Sequence, residues 1–250
     1  GVVFAWTSDV GAIAQSGQFT APFVSGIGHV TATNGSISHS ATVNILPGPV
    51  DRIAVSPDPV TIVVGGIQAF AAIAYDAYNN VVSGTSFAWT TNVGTVQANG
   101  QFTAQLVPGT GTVTATNGTI SDSATVTVVS TSIHHITVLP SPASVVVGGN
   151  QAFSATAYDQ FNNVISGVTF AWTTNVGSVT GSGAFTARTT PGTGYVRATN
   201  GSIIGSASVT LLIGGIHHIN VTPDPLTIVV NGVMQFNAQA YDIYNNLIVG

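Results

Sequence analysis

The chain of 250 residues contains no cysteine, no lysine and no glutamate. Without cysteine it can form neither a disulfide nor a thiolate metal site. Without lysine it cannot form the lysine–asparagine isopeptide cross-links that brace some surface pili. Its strength must therefore come from packing, backbone ladders and contacts between domains or subunits. Charge of either sign is scarce: three arginines and eight aspartates make up the 4% of charged residues and give a net charge of −5, against about 25% charged residues in ordinary globular proteins. Nucleic-acid binding needs clustered Lys and Arg, and an electrostatic membrane patch needs the same, so neither partner is expected. The longest apolar runs, such as "TIVVGG" and "SVVVGG", fall far short of the about 20 residues of a membrane span. Lys, Glu and Cys are missing as bases or nucleophiles, and no G-x-S-x-G elbow stands between a strand and a helix. The chain is expected to be no enzyme and to carry no cofactor and no metal.

What is present is repetition. Trp6, Trp89 and Trp172 stand 83 residues apart, and the same interval links Asn34, Asn117 and Asn200 in "ATNG", Tyr75, Tyr158 and Tyr241 in "AYDxxNN", and Gly1, Gly84, Gly167 and Gly250. Self-similarity at a fixed period marks a repeat architecture. Within one unit, short runs alternate between apolar and polar residues. In "QAFSATAY", Phe153, Ala155 and Ala157 share one face and Ser154 and Thr156 the other; in "TFAWTT", Phe170 and Trp172 oppose Thr169, Ala171 and Thr173. Such alternation predicts strands with one buried and one solvated face. About seven such runs fit each unit, and no helical period is sustained, which predicts an antiparallel two-sheet sandwich. The prolines of "SPDP" and "PSPA" predict a kink that lets the first strand change sheets. The Asn-Gly of "ATNGT" predicts a two-residue hairpin centred on that pair.

The unit resembles the bacterial immunoglobulin-like repeats of invasin, intimin and related surface proteins. The residues that carry the resemblance are "ITV-P", "VVVGG-QAFSATAYD-FNN", "FAWTTNVG", "GAFTA", "PGTGYVRATNG" and the closing "ASVTL". The resemblance spans the whole chain. It implies an all-β fold of tandem Ig-like sandwiches of about 83 residues, arranged as beads on a string, on a secreted or surface-displayed protein and often in the stalk of an adhesin. On this frame residues 50–132 and 133–215 are complete repeats, residues 1–49 the C-terminal part of a repeat, and residues 216–250 the N-terminal part of another.

Individual residues add candidate sites. Asn34, Asn117, Asn200 and Asn220 begin N-x-Ser/Thr sequons and are candidates for N-glycosylation; Asn-Gly in a turn explains the first three equally. Trp6, Trp89 and Trp172 are the expected core anchors. Asp76, Asn79 and Asn80, matched by Asp159, Asn162 and Asn163 and by Asp242, Asn245 and Asn246, form either a turn that bonds its own backbone or a weak calcium loop. A calcium ion needs six to eight oxygen ligands, and one carboxylate per loop favours the turn. The pairs His134–His135 and His217–His218 stand where the first complete unit has Asp51–Arg52, which points to a linker or packing role rather than a metal.

A front part at one end and a back part at the other are complementary halves. Either the chain is a window onto a longer polypeptide, the reading favoured here, or separate chains complete each other's domains head to tail. Both give an extracellular, cell-surface filament or adhesin stalk whose partners are further repeats of the same chain or other copies of it. Lateral bundling is allowed by an uncharged Thr- and Ser-rich coat, and glycans are candidate attachments. A ligand-binding adhesin segment and a surface-layer protein are the alternatives.

Overall fold

The computed structural model describes residues 1–249. Among them every regular element is a strand, and no helix is long and apolar enough to cross a membrane. The fold is all-β and Ig-like, and its contacts divide the chain into two compact units, Gly1–Val129 and the residues from Ser130 on. Each unit contains one complete sandwich.

In the first, one sheet orders Ala88–Thr91, Gly109–Asn117, Ile120–Val129 and Val60–Val63 side by side. Opposite it lie Arg52–Ser56 paired with Ala71–Tyr75, and Ile67–Ala69, Gln101–Ala104 and Gly94–Val96. All pairs are antiparallel except Val60–Val63 with Ile120–Val129. Alternate residues of the long strands, Val113, Ala115, Ala124, Val126 and Val128, point inward and are buried with Phe70 and Phe102. The second sandwich repeats this 83 residues later, with Val196, Ala198, Ala207, Val209 and Leu211 around Phe153 and Phe185. Residues 1–45 form the sheet Ala5–Ser8, Gly26–Asn34, Ile37–Ile45 and a small ladder of Ala12–Ile13 with Phe19–Thr20; residues 218–248 form His218–Thr222, Asn237–Tyr241, Leu247–Ile248.

The first complete repeat has nine strands rather than the expected seven. Two runs read as single strands change sheets midway. The proline segment does so as expected: Arg52–Ser56 pairs with Ala71–Tyr75, while Val60–Val63 pairs with Ile120–Val129. The run "IQAFAAIAY" also divides, at buried Phe70, with Ile67–Ala69 on one ladder and Ala71–Tyr75 on another.

The hairpin expectation needs a correction. Asn117 pairs with Ile120, so the turn is Gly118–Thr119 and not Asn117–Gly118. Gly118 takes φ +61, and Thr119 is not among the positive-φ residues. Glycine at the first central position followed by negative φ is the II′ pattern, whose twist suits the flanking strands as well as I′ does. This frees Asn117 to end its strand and donate from Nδ2 to the carbonyl of Ser86, 3.0 Å away.

Candidate functional site: the clasp between repeats

The "AYDxxNN" segment follows strand Ala71–Tyr75 and folds back on itself. Asp76 N–H donates to the Asn80 carbonyl, and Asn79 N–H to the Asp76 carbonyl, both at 3.0 Å. Asn79 takes φ 66, as Asn162 (64) and Asn245 (61) do at their places. Asparagine tolerates this left-handed conformation better than other side-chain-bearing residues.

The buried Asp76 carboxylate is filled with donors. Oδ1 accepts from the backbone N–H of Tyr78 and of Asn80, each at 2.9 Å. Oδ2 accepts from Asn80 Nδ2 at 2.9 Å and from the Gly48 N–H at 2.8 Å. The last bond leaves the loop: Gly48 belongs to the linker 28 residues earlier. Asn80 carries the connection into the preceding part-repeat, donating from Nδ2 to the Phe23 carbonyl and accepting at Oδ1 from the Ser25 N–H, both at 2.8 Å. The Tyr78 ring lies 4.5 Å from that of Phe23.

The arrangement recurs. Asp159 accepts from the backbone of Phe161 and Asn163, from Asn163 Nδ2, and from the linker N–H of Thr131 at 3.2 Å. Asp242 accepts from Tyr244, from Asn246 twice, and from the linker N–H of Gly214 at 3.2 Å. Asn246 Nδ2 also donates to the Thr189 carbonyl of the preceding repeat at 2.8 Å. There Tyr244 lies against the "VVVGG" turn: a Cβ built on Gly148, at φ +72, would come 2.1 Å from the Tyr244 hydroxyl. The glycine is needed both for its conformation and for this approach.

Burial pushes the Asp76 carboxyl up, but the bonds from the Asn80 side chain and from the Gly48, Asn80 and Tyr78 amides outweigh it and hold the pKa at about 2. At Asp159 and Asp242 burial is likewise outweighed by the Asn163 and Asn246 bonds and the surrounding amides, and both are lowered. Charge-stabilising donors around a carboxylate have this effect. With two donors on each oxygen of Asp76, a cation could bind only by displacing one of them.

The other sequence candidates sit elsewhere. Trp89 and Trp172 are half-buried and pack against the core clusters, whereas the fully buried centres are Phe102 and Phe185. Trp6 occupies the matching place on strand Ala5–Ser8. Asn34, Asn117 and Asn200 each donate from the side-chain amide to a backbone carbonyl 31 residues earlier, at Val3, Ser86 and Thr169. The sequon nitrogens thus tie the hairpin end to the neighbouring strand; Asn220 is exposed on strand His218–Thr222. The paired histidine rings meet edge to face, 5.8 Å apart at His134–His135 and 5.9 Å at His217–His218. His135 stacks on Tyr158 (4.9 Å, 9°) and His218 on Tyr241 (5.1 Å, 9°), while Arg52 lies over Tyr75 at 3.9 Å. One position therefore caps the tyrosine before each clasp aspartate, a pattern that sequence reading missed because "DR" and "HH" look unalike. The linker donors were missed as well. Their signal is a fixed interval of 28 residues from Gly48, Thr131 and Gly214 to Asp76, Asp159 and Asp242.

An open concavity of about 690 Å³ lies beside Leu139–Pro142 and Ala152–Ser154, with no titratable side chain in its lining. A smaller cleft of about 160 Å³ lies at the clasp itself, against Phe23, Leu46 and Tyr78, below the roughly 300 Å³ at which ligand pockets begin.

No family model matches the chain. It is 31% identical over 133 residues to ice-binding protein 1 of Shewanella frigidimarina (strain NCIMB 400), a match that covers 52% of this chain and 15% of that protein. The chain thus corresponds to about 15% of the length of this curated relative. Solved structures that match the chain include the Escherichia coli adhesin FdeC (22% identity, 81% of this chain and 77% of that one, TM-score 0.49). Domains 1–6 of the surface layer protein SbsC match at 19% identity over 99% of this chain and 39% of that one, with a TM-score of 0.37. The protocadherin GammaB4 extracellular domain matches at 11% identity over 89% of this chain and 45% of that one, with a TM-score of 0.50, and is similar to this chain in fold.

Proposed function

We propose that the chain is a structural segment of an extracellular filament or adhesin stalk, in which Ig-like repeats act as spacing units and the aspartate–asparagine clasp holds residues 1–45 and residues 218–248 each to the complete sandwich beside it. The observation that carries this reading is the clasp. A buried aspartate reaches back to the linker backbone at three successive junctions. Repeats joined by short linkers and direct contacts add length in proportion to their number, and the clasp supplies the direct contact. The scarcity of charge and the Thr- and Ser-rich surface suit a hydrated coat whose neighbours do not repel one another. The curated match, confined to 15% of its protein, fits a spacer.

The test is the Asp76→Ala variant, read by hydrogen exchange at the Gly48 amide and by residual dipolar couplings of residues 1–45 against 50–129. The expected result is loss of protection at Gly48 and averaging of the couplings, with the sandwich core unchanged. Retained couplings would show that the clasp does not set the junction. Acid supplies a second handle. Because the folded pKa is depressed, the clasp is intact above the ordinary carboxylate value of 3.8 and is lost as pH falls through about 2. Gly48 protection should follow that window.

A further inference from the structure

The strand that leads into each "ATNG" hairpin occurs as Gly26–Asn34, Gly109–Asn117 and Gly192–Asn200. Its inward residues are the same in each copy: Val30 and Ala32, Val113 and Ala115, Val196 and Ala198. The residues between them point to the outer face of the sheet, and these differ. His29 and Thr31 give way to Thr112 and Thr114, and these to Tyr195 and Arg197. The sandwich of residues 50–129 is built with threonine at both places, so the fold does not require the tyrosine–arginine pair.

The Arg197 guanidinium lies over the Tyr195 ring, 3.8 Å from its centre. Hydroxyl side chains surround the pair. Arg197 stands between Thr173 and Ser206 of the neighbouring strands, and Tyr195 stands opposite Ser208. Ser206 and Ser208 are exposed. The backbone of Tyr195 is tied on both sides: its N–H donates to Asn175 Oδ1 at 2.9 Å, and its carbonyl accepts from Thr174 Oγ1 at 2.6 Å.

Arg197 also differs from the other two arginines. Arg52 donates to Asn79 and Arg188 to the Thr190 carbonyl, whereas Arg197 Nε is buried with no hydrogen-bond partner among the described residues. A guanidinium stacked through its face keeps in-plane donors that match a carboxylate in a two-point fork. No acid of its own sandwich is free to meet it. Residues 133–212 contain one acidic residue, Asp159, whose carboxylate is taken up by its clasp donors. This sandwich thus has two arginines to one aspartate, while residues 50–129 have one arginine to four aspartates. An anion is drawn to the former.

We propose that Tyr195 and Arg197 form a binding site for a carboxylated sugar, a uronate unit of an acidic polysaccharide. Arg197 takes the carboxylate, Tyr195 holds the guanidinium in place, and Thr173, Ser206 and Ser208 offer hydroxyls to those of the sugar. An exposed sheet face admits an extended polymer. A single cation among hydroxyls suits one carboxylate per sugar, whereas a polyphosphate chain calls for clustered Lys and Arg. The site goes beyond the spacer role and uses no clasp residue, so either can fail without the other.

The test is an NMR titration of the nitrogen-15-labelled chain with hexamers of galacturonate, glucuronate and mannuronate at low salt. Saturable shifts are expected with at least one hexamer at the Arg197 Nε–H and at the amides of Tyr195, Ser206 and Ser208, and none at Thr112 and Thr114. Arg197→Thr and Tyr195→Thr introduce the residues of the first sandwich, and an unchanged thermal transition checks that each variant is folded. Arg197→Thr should weaken binding about tenfold or more. Arg197→Lys keeps the charge but not the fork and should not restore it. The methyl ester of the hexamer that binds should give no shifts. Absence of saturable shifts with all three hexamers would overturn the proposal, as would equal binding by the ester or by folded Arg197→Thr. A hexa-aspartate peptide that binds as tightly would also overturn it, because the site would then read acidic peptides and not sugars.

Discussion

The two complete sandwiches, residues 50–129 and 133–212, reach one architecture with different chemistry along the same seam. In the first, two carboxylates fasten the front strand to the long back strand: Asp122 Oδ2 accepts from the Val55 N–H and Asp58 Oδ1 from the Thr125 N–H, both at 2.7 Å. In the second, Gly205 stands at the place of Asp122 and Ser141 at that of Asp58, and only a long bond of 3.4 Å from the Ser208 N–H to Ser141 Oγ remains. Close packing replaces the missing staple. A Cβ built on Gly205 would lie 2.6 Å from the Ile136 carbonyl oxygen, so the strands approach as only glycine permits. The difference teaches that the apolar interior fixes the fold, while the polar ties across the seam are interchangeable.

If that is right, the largest effects must be equal in the two sandwiches. Phe102 and Phe185 are fully buried, and each meets a second phenylalanine edge-on at 5.9 Å. Phe102→Ala and Phe185→Ala should each destabilise their own sandwich by about 3–5 kcal/mol and leave the other transition in place. Calorimetry resolves this. Unequal losses would show that the cores are not equivalent despite their matched residues.

The seam itself should respond asymmetrically. Asp122→Ala strands the half-buried Val55 N–H and should cost about 1–3 kcal/mol. The same side chain introduced opposite, Gly205→Ala, adds a methyl where a carbonyl already sits and should cost a similar amount, up to about 3 kcal/mol. Alanine is therefore harmful at both positions for opposite reasons, one a lost acceptor and the other an overfilled gap. Denaturant midpoints of the two sandwiches check it. A tolerated Gly205→Ala would mean that the second seam has slack and that close approach is not what replaces the staple.

These contrasts also show what a sequence can and cannot display. The period, the strand alternation and the sheet change at the prolines follow from residues close in the chain, and all were legible. The Asp76 loop was legible as a turn because its bonds to Tyr78 and Asn80 are local. Its bond to Gly48 and the reach of Asn80 to Phe23, 57 residues away, were not, because they depend on how one repeat meets the next. Asp122 stands in a polar stretch, "TISDSA", next to the hairpin turn, yet it lies within strand Ile120–Val129, and its partner is 67 residues distant. The hairpin was misplaced by one residue because Asn-Gly is itself a favoured turn pair, and only the register of Asn117 with Ile120 decides for Gly118–Thr119.

The smallest expected effect lies at the residue that covers the tyrosine before each clasp. Arg52 places its guanidinium 3.9 Å from the centre of the Tyr75 ring and also donates from Nη2 to Asn79 Oδ1 at 2.9 Å. His135 only stacks, at 4.9 Å from the Tyr158 ring. A cation over an aromatic face at an exposed site is worth about 0.5–1 kcal/mol, and the additional bond holds the Asn79 turn. Arg52→Ala should therefore lower the stability of residues 50–129 by up to about 1 kcal/mol, and His135→Ala should lower that of residues 133–212 by less. The exchange Arg52→His is the sharper measurement, because it keeps a ring over Tyr75 and removes only the bond to Asn79. If it leaves the denaturant midpoint unchanged while Arg52→Ala lowers it, covering the tyrosine is what this position does in every repeat. If the two substitutions cost the same, the bond to Asn79 is what matters, and the first sandwich has a tie to its clasp that the second lacks.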